Sequence, residues 1–572
     1  MVTHNIEVLL KVSTCVVPLP IQVVVSWVLL VGMQPLKYSR ILICLTPILG
    51  TLMKSYDVIV IGAGHNGLIV ASKLAASGRR VLLLEAGDTY GGMARSEVLF
   101  EGFQAPELAS NAVGISKEVV QDLGLNKYEL LFNEDGLKTV GLNIENENVI
   151  FGSNFGETIE GIKEDEFKRW KELREKFFNQ SHLFQKLASQ IPVGSNHKTF
   201  GSKANLFLTA AKLRLQGKEQ FQELLRMITM CIADLVEEEL ETSSLKGLIS
   251  FDSTLGIKLG PRSPTSYLGL LYKLSQMKTS YQEKSLSING GVTSFINALF
   301  KSAEENGVDF VFKGKVSSLI ISDSVATGVK LENGVEYSAK TIVSSISPVN
   351  TFLDLVGTQN LETDLTRRIR ALRCSGNTSK LNIVLEEIPK LHNSQNLDAN
   401  HRYVYAPSLE SVENNFNALK YNELPSDPNF DMYFSRISSE SSLNGAVVAS
   451  ICIQNTPYSL KGDWKNSKEI LMNKVISTIQ KWAPEFKKGI LFKSLLLPHE
   501  TEKKYFVAGG HWHHSELQID SLYSLRPAFD VSDYSTPIDG LFICGAGTHP
   551  GGNLFGLSGL NAAKKILRES SK

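Results

Sequence analysis

The chain carries no net charge, because 59 basic residues balance 59 acidic ones over 572 positions. That balance excludes a strongly cationic chain, nothing suggests electrostatic capture of nucleic acid, and no nucleic-acid partner is expected. Cysteine is scarce too. The six are Cys15, Cys44, Cys231, Cys374, Cys452 and Cys544, and no two form a short-spaced redox pair. A dithiol reductase needs two neighbouring thiols at its cofactor and a second nucleotide motif for a nicotinamide donor. No second strand-linked GxGxxG occurs, so disulfide chemistry is rejected, and scattered thiols fit a reducing intracellular compartment. Internal repeats and low-complexity tracts are missing as well. The length suffices for two or three domains with large buried cores.

Charge is thinnest over residues 1–52, where only Glu7, Lys11, Lys37 and Arg40 carry it. Val12 to Met33 is uncharged and long enough to span a bilayer, although Pro18, Pro20 and Gln22 interrupt it. Three readings stay open: a misassigned start with Met53 as the true one, a membrane anchor or targeting segment, and a genuine fold element. No clean small-residue cleavage site precedes the next domain, and a mitochondrial transit peptide should hold more Arg and Ser. The expected location is cytoplasmic, with membrane association or the mitochondrial matrix as alternatives.

The segment after residue 55 is far more specific. Tyr56 to Ile61 is a short apolar run suited to a buried parallel strand. It leads into Gly62-Ala63-Gly64-His65-Asn66-Gly67, a helix expected from Asn66 to Ser77, and a second strand from Arg80 to Glu85. In such a unit Gly62 permits the tight turn, Gly64 admits a pyrophosphate, and Gly67 lets helix and strand pack closely. The helix N-terminus offers N–H groups and a positive dipole end to the phosphates. Glu85 falls eighteen residues after Gly67, where a carboxylate can accept from a ribose diol.

FAD is longer than NAD, and its flavin end must be held by chain distant in sequence. Two segments suit that task. Gly91-Gly92 follows the second strand, with Arg95 and Ser96 behind it. At the C-terminus, Leu541 to Cys544 reads as a strand, Gly545 to Gly552 as a glycine-rich loop and Leu557 to Leu567 as a helix. Its N-terminus would present donors to a pyrophosphate or an anionic reduced flavin.

GAGHNGL, the following Glu, the GG pair and the closing GLFICGAGTHPGG resemble the phytoene dehydrogenase-related FAD-dependent oxidoreductases. The resemblance extends to Asn289-Gly290-Gly291-Val292, Gly328 to Gly334 and Phe352 to Gly357. It implies an α/β architecture, a glutathione-reductase-type FAD-binding Rossmann-like domain interrupted by an α+β substrate domain. It also implies FAD at or near Gly62, Gly64, Gly67, Glu85, Gly91, Gly92, Val316, Gly547 and Gly556. Ala86, Arg95, Gly545 and Thr548 complete the cofactor candidates. Two departures stand out: Met93 occupies a position that is Arg in many relatives, and Thr548 follows Gly547 where simple disulfide reductases have Asp.

The expected domains are an FAD-binding domain in three parts, 53–150, 285–357 and 500–572, and a substrate domain at 151–284 and 358–499. Glu164 to Ser189 reads as a helix with Phe167, Trp170, Leu173 and Phe177 as a core stripe, and residues 201–250 continue as helices. Strands are expected at Phe310–Phe312, Val316–Ile321, Ala326–Glu332, Val335–Ser338 and Thr341–Ser345. Tyr403, Tyr405, Tyr433 and Phe434 are pocket candidates. In His511-Trp512-His513-His514-Ser515-Glu516, read as extended, His511 and His513 share a face but lack a carboxylate or thiol partner, so no metal is assigned. His514 and Glu516 match a His–Glu pattern of the relatives and are the catalytic candidates. The expected activity is dehydrogenation or desaturation of a small organic substrate by hydride transfer to flavin N5, with oxygen or a quinone as acceptor. The alternative is a flavin-retaining binding or regulatory protein with little turnover.

Overall fold

The computed structural model describes residues 54–570 other than 101, 111–113, 134–135, 144–147, 193–221, 223–225, 227, 280–287, 289, 391–397, 399 and 437–444. The three readings of residues 1–52 therefore lie outside the described residues, as do 201–221 of the expected helices and Asn289.

Two sheets organise the fold. The first is centred on Lys54–Ile61, where Val58, Ile59 and Val60 are fully buried. Its neighbours Val81–Leu84 and Glu336–Ser344 both run parallel to it, so both faces are covered, as a continuous apolar run requires. Asp309–Val311 extends the sheet beyond Val81–Leu84. Glu336–Ser344 changes partner along its length. Its first half pairs antiparallel with Val325–Leu331, which pairs with Val316–Ser322, while Ile342 to Ser344 take Leu541–Ile543 in parallel. The two strands expected at Val335–Ser338 and Thr341–Ser345 are thus one. Buried Ala339 and exposed Lys340 continue the alternation between them, and no turn residue intervenes. The helices His65–Ala76, Gly291–Glu305 and Leu557–Ser570 share one core with this sheet through Leu68, Phe295, Leu299 and Leu560.

The second sheet has eight strands, in the order Ile490–Leu496, Thr378–Leu385, Val447–Gln454, Phe430–Arg436, His401–Tyr405, Lys138–Gly141, Val149–Phe151 and Ile159–Glu160. Lys138–Gly141 and Val149–Phe151, grouped by sequence with the FAD-binding segment 53–150, belong to this other sheet. His401–Tyr405 captures Lys138–Gly141 in parallel, a pairing across a long sequence separation that local pattern does not encode.

Period-two alternation divides this sheet into two unlike faces. Leu381, Ile383, Tyr403, Tyr405, Phe434 and Ile451 pack with Leu471, Val475 and Ile479 of the helix Trp464–Gln480. The residues between them, Lys380, Asn382, Arg402, Asp431, Tyr433 and Cys452, lie on the opposite face. Of the four aromatic pocket candidates, Tyr433 alone is on that face, while Tyr403, Tyr405 and Phe434 are core. The long helix Glu164–Ala188 buries Trp170, Leu173 and Phe177, the stripe expected of it. Among the described residues no helix is long and apolar enough to cross a membrane.

Candidate active site

The three glycines of the first turn do different work. Gly62 has φ +96°, and a Cβ there would sit 2.6 Å from Ser345 Oγ. A Cβ on Gly67 would lie 2.0 Å from the Gly62 carbonyl oxygen, so helix and strand meet without room for a methyl. Around the Cβ position of Gly64 no protein atom comes within 4 Å. The outer two are glycine because the chain packs on itself; the middle one faces open space.

That space is bounded by the second glycine motif. Gly91 N–H donates to the Ala63 carbonyl at 2.8 Å, and a Cβ on Gly92 would lie 3.2 Å from Gly64 Cα. Glu85 is tied to the same turn, accepting from Ala63 N–H at Oε2 and from Gly87 N–H at Oε1, each at 2.7 Å. No side chain caps the helix His65–Ala76, whose N-cap is Gly64, so its N-terminus meets this space directly.

A cavity of about 820 Å³ runs from here to the polar face of the second sheet. Gly62, Gly64, Gly67, Glu85 and Ala86 line it, as do Gly91, Gly92, Arg95 and Val316. Gly545, Gly547, Thr548 and Gly556 stand behind its wall. Cβ atoms on Gly545 and Gly547 would meet Ser345 O and Pro348 Cδ, each at 2.4 Å, and the Thr548 hydroxyl donates to Gly545 O at 2.8 Å. The residue of this loop that reaches the cavity is Ala546, between two expected glycines.

The histidine segment is a turn and not a strand. His514 N–H donates to His511 O at 2.8 Å, and His514 adopts φ 62°. The turn puts His513 and His514 side by side on the cavity wall, while Glu516 is carried away from it. The Glu516 carboxylate accepts from Lys258 N–H at 2.9 Å and lies 3.5 Å from His511 Nε2, so the His–Glu pair is formed with His511 and not His514. Arg526, fully buried, holds this region together, donating to the carbonyls of His513 at 2.7 Å and of Glu516 and Ala546 at 2.9 Å.

Burial, with the Arg526 charge behind it, pushes His514 down to about 3. The ring is therefore neutral at neutral pH. Its Nδ1, that of His513 and Nε2 of His65 have no hydrogen-bond partner among the described residues. Burial also takes His549, whose ring bonds the Leu187 carbonyl at 2.9 Å, down to about 4.

These shifts predict a pH dependence of stability. A ring whose folded pKa lies below its unfolded value contributes fully above about 6.5 and loses that contribution as pH falls, at about 1.4 kcal/mol per pH unit. His514 and His549 act this way. Glu107, which burial raises to about 7, acts oppositely, losing its contribution as pH rises towards 7. The histidines outnumber it, so the thermal midpoint should fall between about pH 7 and pH 5. A rising midpoint in a scanning calorimetry series would contradict the buried, neutral rings.

The far wall holds a charged network that sequence did not point to. Arg402 donates from Nη1 to Asp252 at 2.7 Å and from Nε to Asp431 at 3.0 Å, and Lys273 Nζ lies 2.5 Å from Asp252. Asp252 comes from the helix Ser243–Thr254 and Lys273 from Tyr267–Thr279. Lys380, also buried, donates to Ser110 Oγ. The available signal was a charge set among the apolar residues of three strands, Lys380, Arg402 and Asp431, which becomes informative once strand pairing aligns them.

Over residues 67–567 the chain matches the family described as flavin containing amine oxidoreductase. It is similar to the Mus musculus pyridine nucleotide-disulfide oxidoreductase domain-containing protein 2, 26% identical over 550 residues covering 91% of this chain and 94% of that one. It is also similar to the lycopene-forming phytoene desaturase of Pantoea ananas, 21% identical with 87% and 96% covered. Among solved structures, cyclohexylamine oxidase from Brevibacterium oxydans IH-35A aligns with a TM-score of 0.54 at 13% identity, covering 90% of this chain and all of that one. The glutathione-reductase-type architecture and the resemblance expected from sequence are borne out.

Proposed function

Because the chain belongs to the flavin containing amine oxidoreductase family, and is thereby an FAD-dependent oxidoreductase of a small-molecule substrate, we propose that its cavity takes FAD at the glycine-lined end and substrate towards the polar sheet. The observation that carries this reading is the open space at Gly64, faced by Gly91 and Gly92 and adjoined by Glu85.

The residues fit the group. Gly62, Gly64 and Gly67, with the helix N-terminus, would hold the pyrophosphate against Gly91 and Gly92. Glu85 keeps acceptor capacity beyond its two backbone bonds, since a carboxylate has about four lone-pair sites, and would take the ribose diol. Ala86, Arg95 and Val316 would flank the adenosine end. Gly545, Gly547, Thr548 and Gly556 would act indirectly, by fixing the loop that presents Ala546. When bound, FAD supplies the acceptor for a hydride equivalent taken from a substrate C–H bond. The protein's task is to orient the substrate carbon and exclude water. A neutral His514 can orient a polar group by one hydrogen bond; it does not present a cation at neutral pH. Glu516 supports the turn from behind.

The proposed division assigns 53–137, 285–357 and 500–572 to the FAD-binding domain and the rest beyond residue 137 to the substrate domain. Electrons would leave to oxygen or a quinone, and residues 1–52 would decide between a cytoplasmic protein and one attached to a membrane or sent to the mitochondrial matrix. The test is anaerobic mixing of the yellow holoprotein with a panel of amines, polyenes and hydroxy acids. Bleaching of the flavin absorbance by a member of the panel is the expected result. Flavin retained unbleached across the panel would favour the binding or regulatory role.

A further inference from the structure

At its glycine-lined end the cavity has a wall that the nucleotide unit does not supply. Glu85 and Gly87 are tied to the loop ahead of Val316–Ser322. Gly314 N–H donates to Glu85 O at 2.8 Å, and Lys313 N–H donates to Gly87 O at 2.7 Å. Lys315 comes next in the chain. Its ammonium stands over the Phe506 ring, 4.4 Å from the centroid, and is paired with Glu332 at 2.7 Å. Phe506, which ends the helix Pro498–Tyr505, is thereby brought beside Glu85 from a segment distant in sequence.

Phe506 does not behave as a packing residue. It is 48% exposed, whereas its neighbour Val507 is 3% exposed. Among the described residues none of the hydrophobic cores includes it. Its backbone is left-handed, with φ 53° and ψ 37°. Glycine is the usual residue at such a helix-ending position, and a bulky side chain there is strained. The strain and the exposure both bring the ring to the cavity, which Phe506 lines together with Gly87, Val316 and Glu332. Lys315 takes one face of the ring. An aromatic ring has a second face, and a flat partner can stack on it.

We propose that Phe506 is a cofactor-binding residue whose second ring face stacks on the adenine of FAD. The proposal rests on the reading of this cavity as the flavin site, and it deepens that reading by making the chain select FAD over FMN, which has no adenine. Phe506 acts in binding and takes no part in hydride transfer. Lys315, held by Glu332, positions it.

The experiment uses the full-length chain, stripped of flavin and titrated by calorimetry with FAD and with FMN. Phe506→Ala should weaken FAD by roughly 10- to 100-fold, the range for losing one base–aromatic stack, and leave FMN binding as it is. Phe506→Trp should keep the affinity for FAD. Phe506→Gly separates the cofactor contact from the fold, because glycine accepts the left-handed backbone without strain. The thermal midpoint of the flavin-free chain should hold or rise in this variant, while FAD affinity falls as in Phe506→Ala. Unchanged FAD affinity in both variants would overturn the proposal while leaving the flavin reading intact. So would an equal loss of FAD and FMN, or a lowered midpoint in Phe506→Gly, either of which would make the ring a part of the fold. A wild-type chain that takes up neither flavin would overturn the flavin reading, and the adenine contact with it.

Discussion

Gly64→Val should give a protein that folds and holds no flavin, whereas Gly67→Ala should damage the fold itself. Both positions belong to one motif, yet their surroundings are opposite. The Cβ of a Gly64 variant meets nothing within 4 Å, so a valine stands in the cavity without displacing protein. It would occupy the volume proposed for the pyrophosphate, and affinity for FAD should fall by more than about 100-fold, which corresponds to roughly 3 kcal/mol. At Gly67 the added carbon lies 2.0 Å from a backbone oxygen of Gly62, and backbone cannot move as a flexible side chain can. First strand and first helix must separate, at a cost at or above the upper end of the roughly 1–3 kcal/mol typical of overpacking. Thermal unfolding and flavin released per chain separate the two outcomes. If Gly64→Val kept its flavin, the open space at that glycine would not be the cofactor site.

The second large effect is expected at Arg526. Among the described residues no carboxylate hydrogen-bonds to its guanidinium; Nη1 and Nη2 donate instead to backbone carbonyls of the histidine turn and of the loop at Ala546. Arg526→Leu would leave the carbonyls of His513 and Ala546 without this donor in a dry interior, where an unsatisfied group costs about 1–3 kcal/mol, while the Glu516 carbonyl would keep its bond from Ser521 Oγ. A loss of about 3–5 kcal/mol is expected, together with lost flavin, because the turn and the loop would no longer be held in register. Arg526→Lys should recover little, since an ammonium cannot reproduce the planar fork that reaches separate carbonyls. If either variant keeps a folded state, the His514 ring should titrate closer to its ordinary value with leucine at 526 than in the wild type, which proton NMR would read. Stability unchanged in Arg526→Leu would show the staple to be dispensable.

The nucleotide unit was legible because its demands are local. Gly62, Gly64 and Gly67 answer to turn, ligand and helix contact within six residues, and Glu85 follows at the next strand end. The C-terminal segment was legible as strand, loop and helix, but not in its detail. Gly545 and Gly547 are glycine because Ser345 and Pro348 crowd them, and those partners sit some two hundred positions earlier. The histidine segment misled because three histidines in four residues look like a strand face, whereas the left-handed backbone at His514 turns the chain and sends Glu516 to His511. The charged network was invisible for a plainer reason. Lys273, Asp252, Arg402 and Asp431 lie on two helices and two strands, and only the sheet pairing of Arg402 with Tyr433 and of Val404 with Asp431 brings the strand members onto one face.

The central claim is that this chain is a flavoenzyme built around the space at Gly64. The most direct measurement is the cofactor content of purified full-length protein, by visible spectrum and by identification of what denaturation releases. The expected result is stoichiometric FAD, bleached by dithionite and restored by air, in the wild type and not in Gly64→Val. A wild-type protein that unfolds cooperatively, yet is colourless and takes up no FAD on reconstitution, would contradict it.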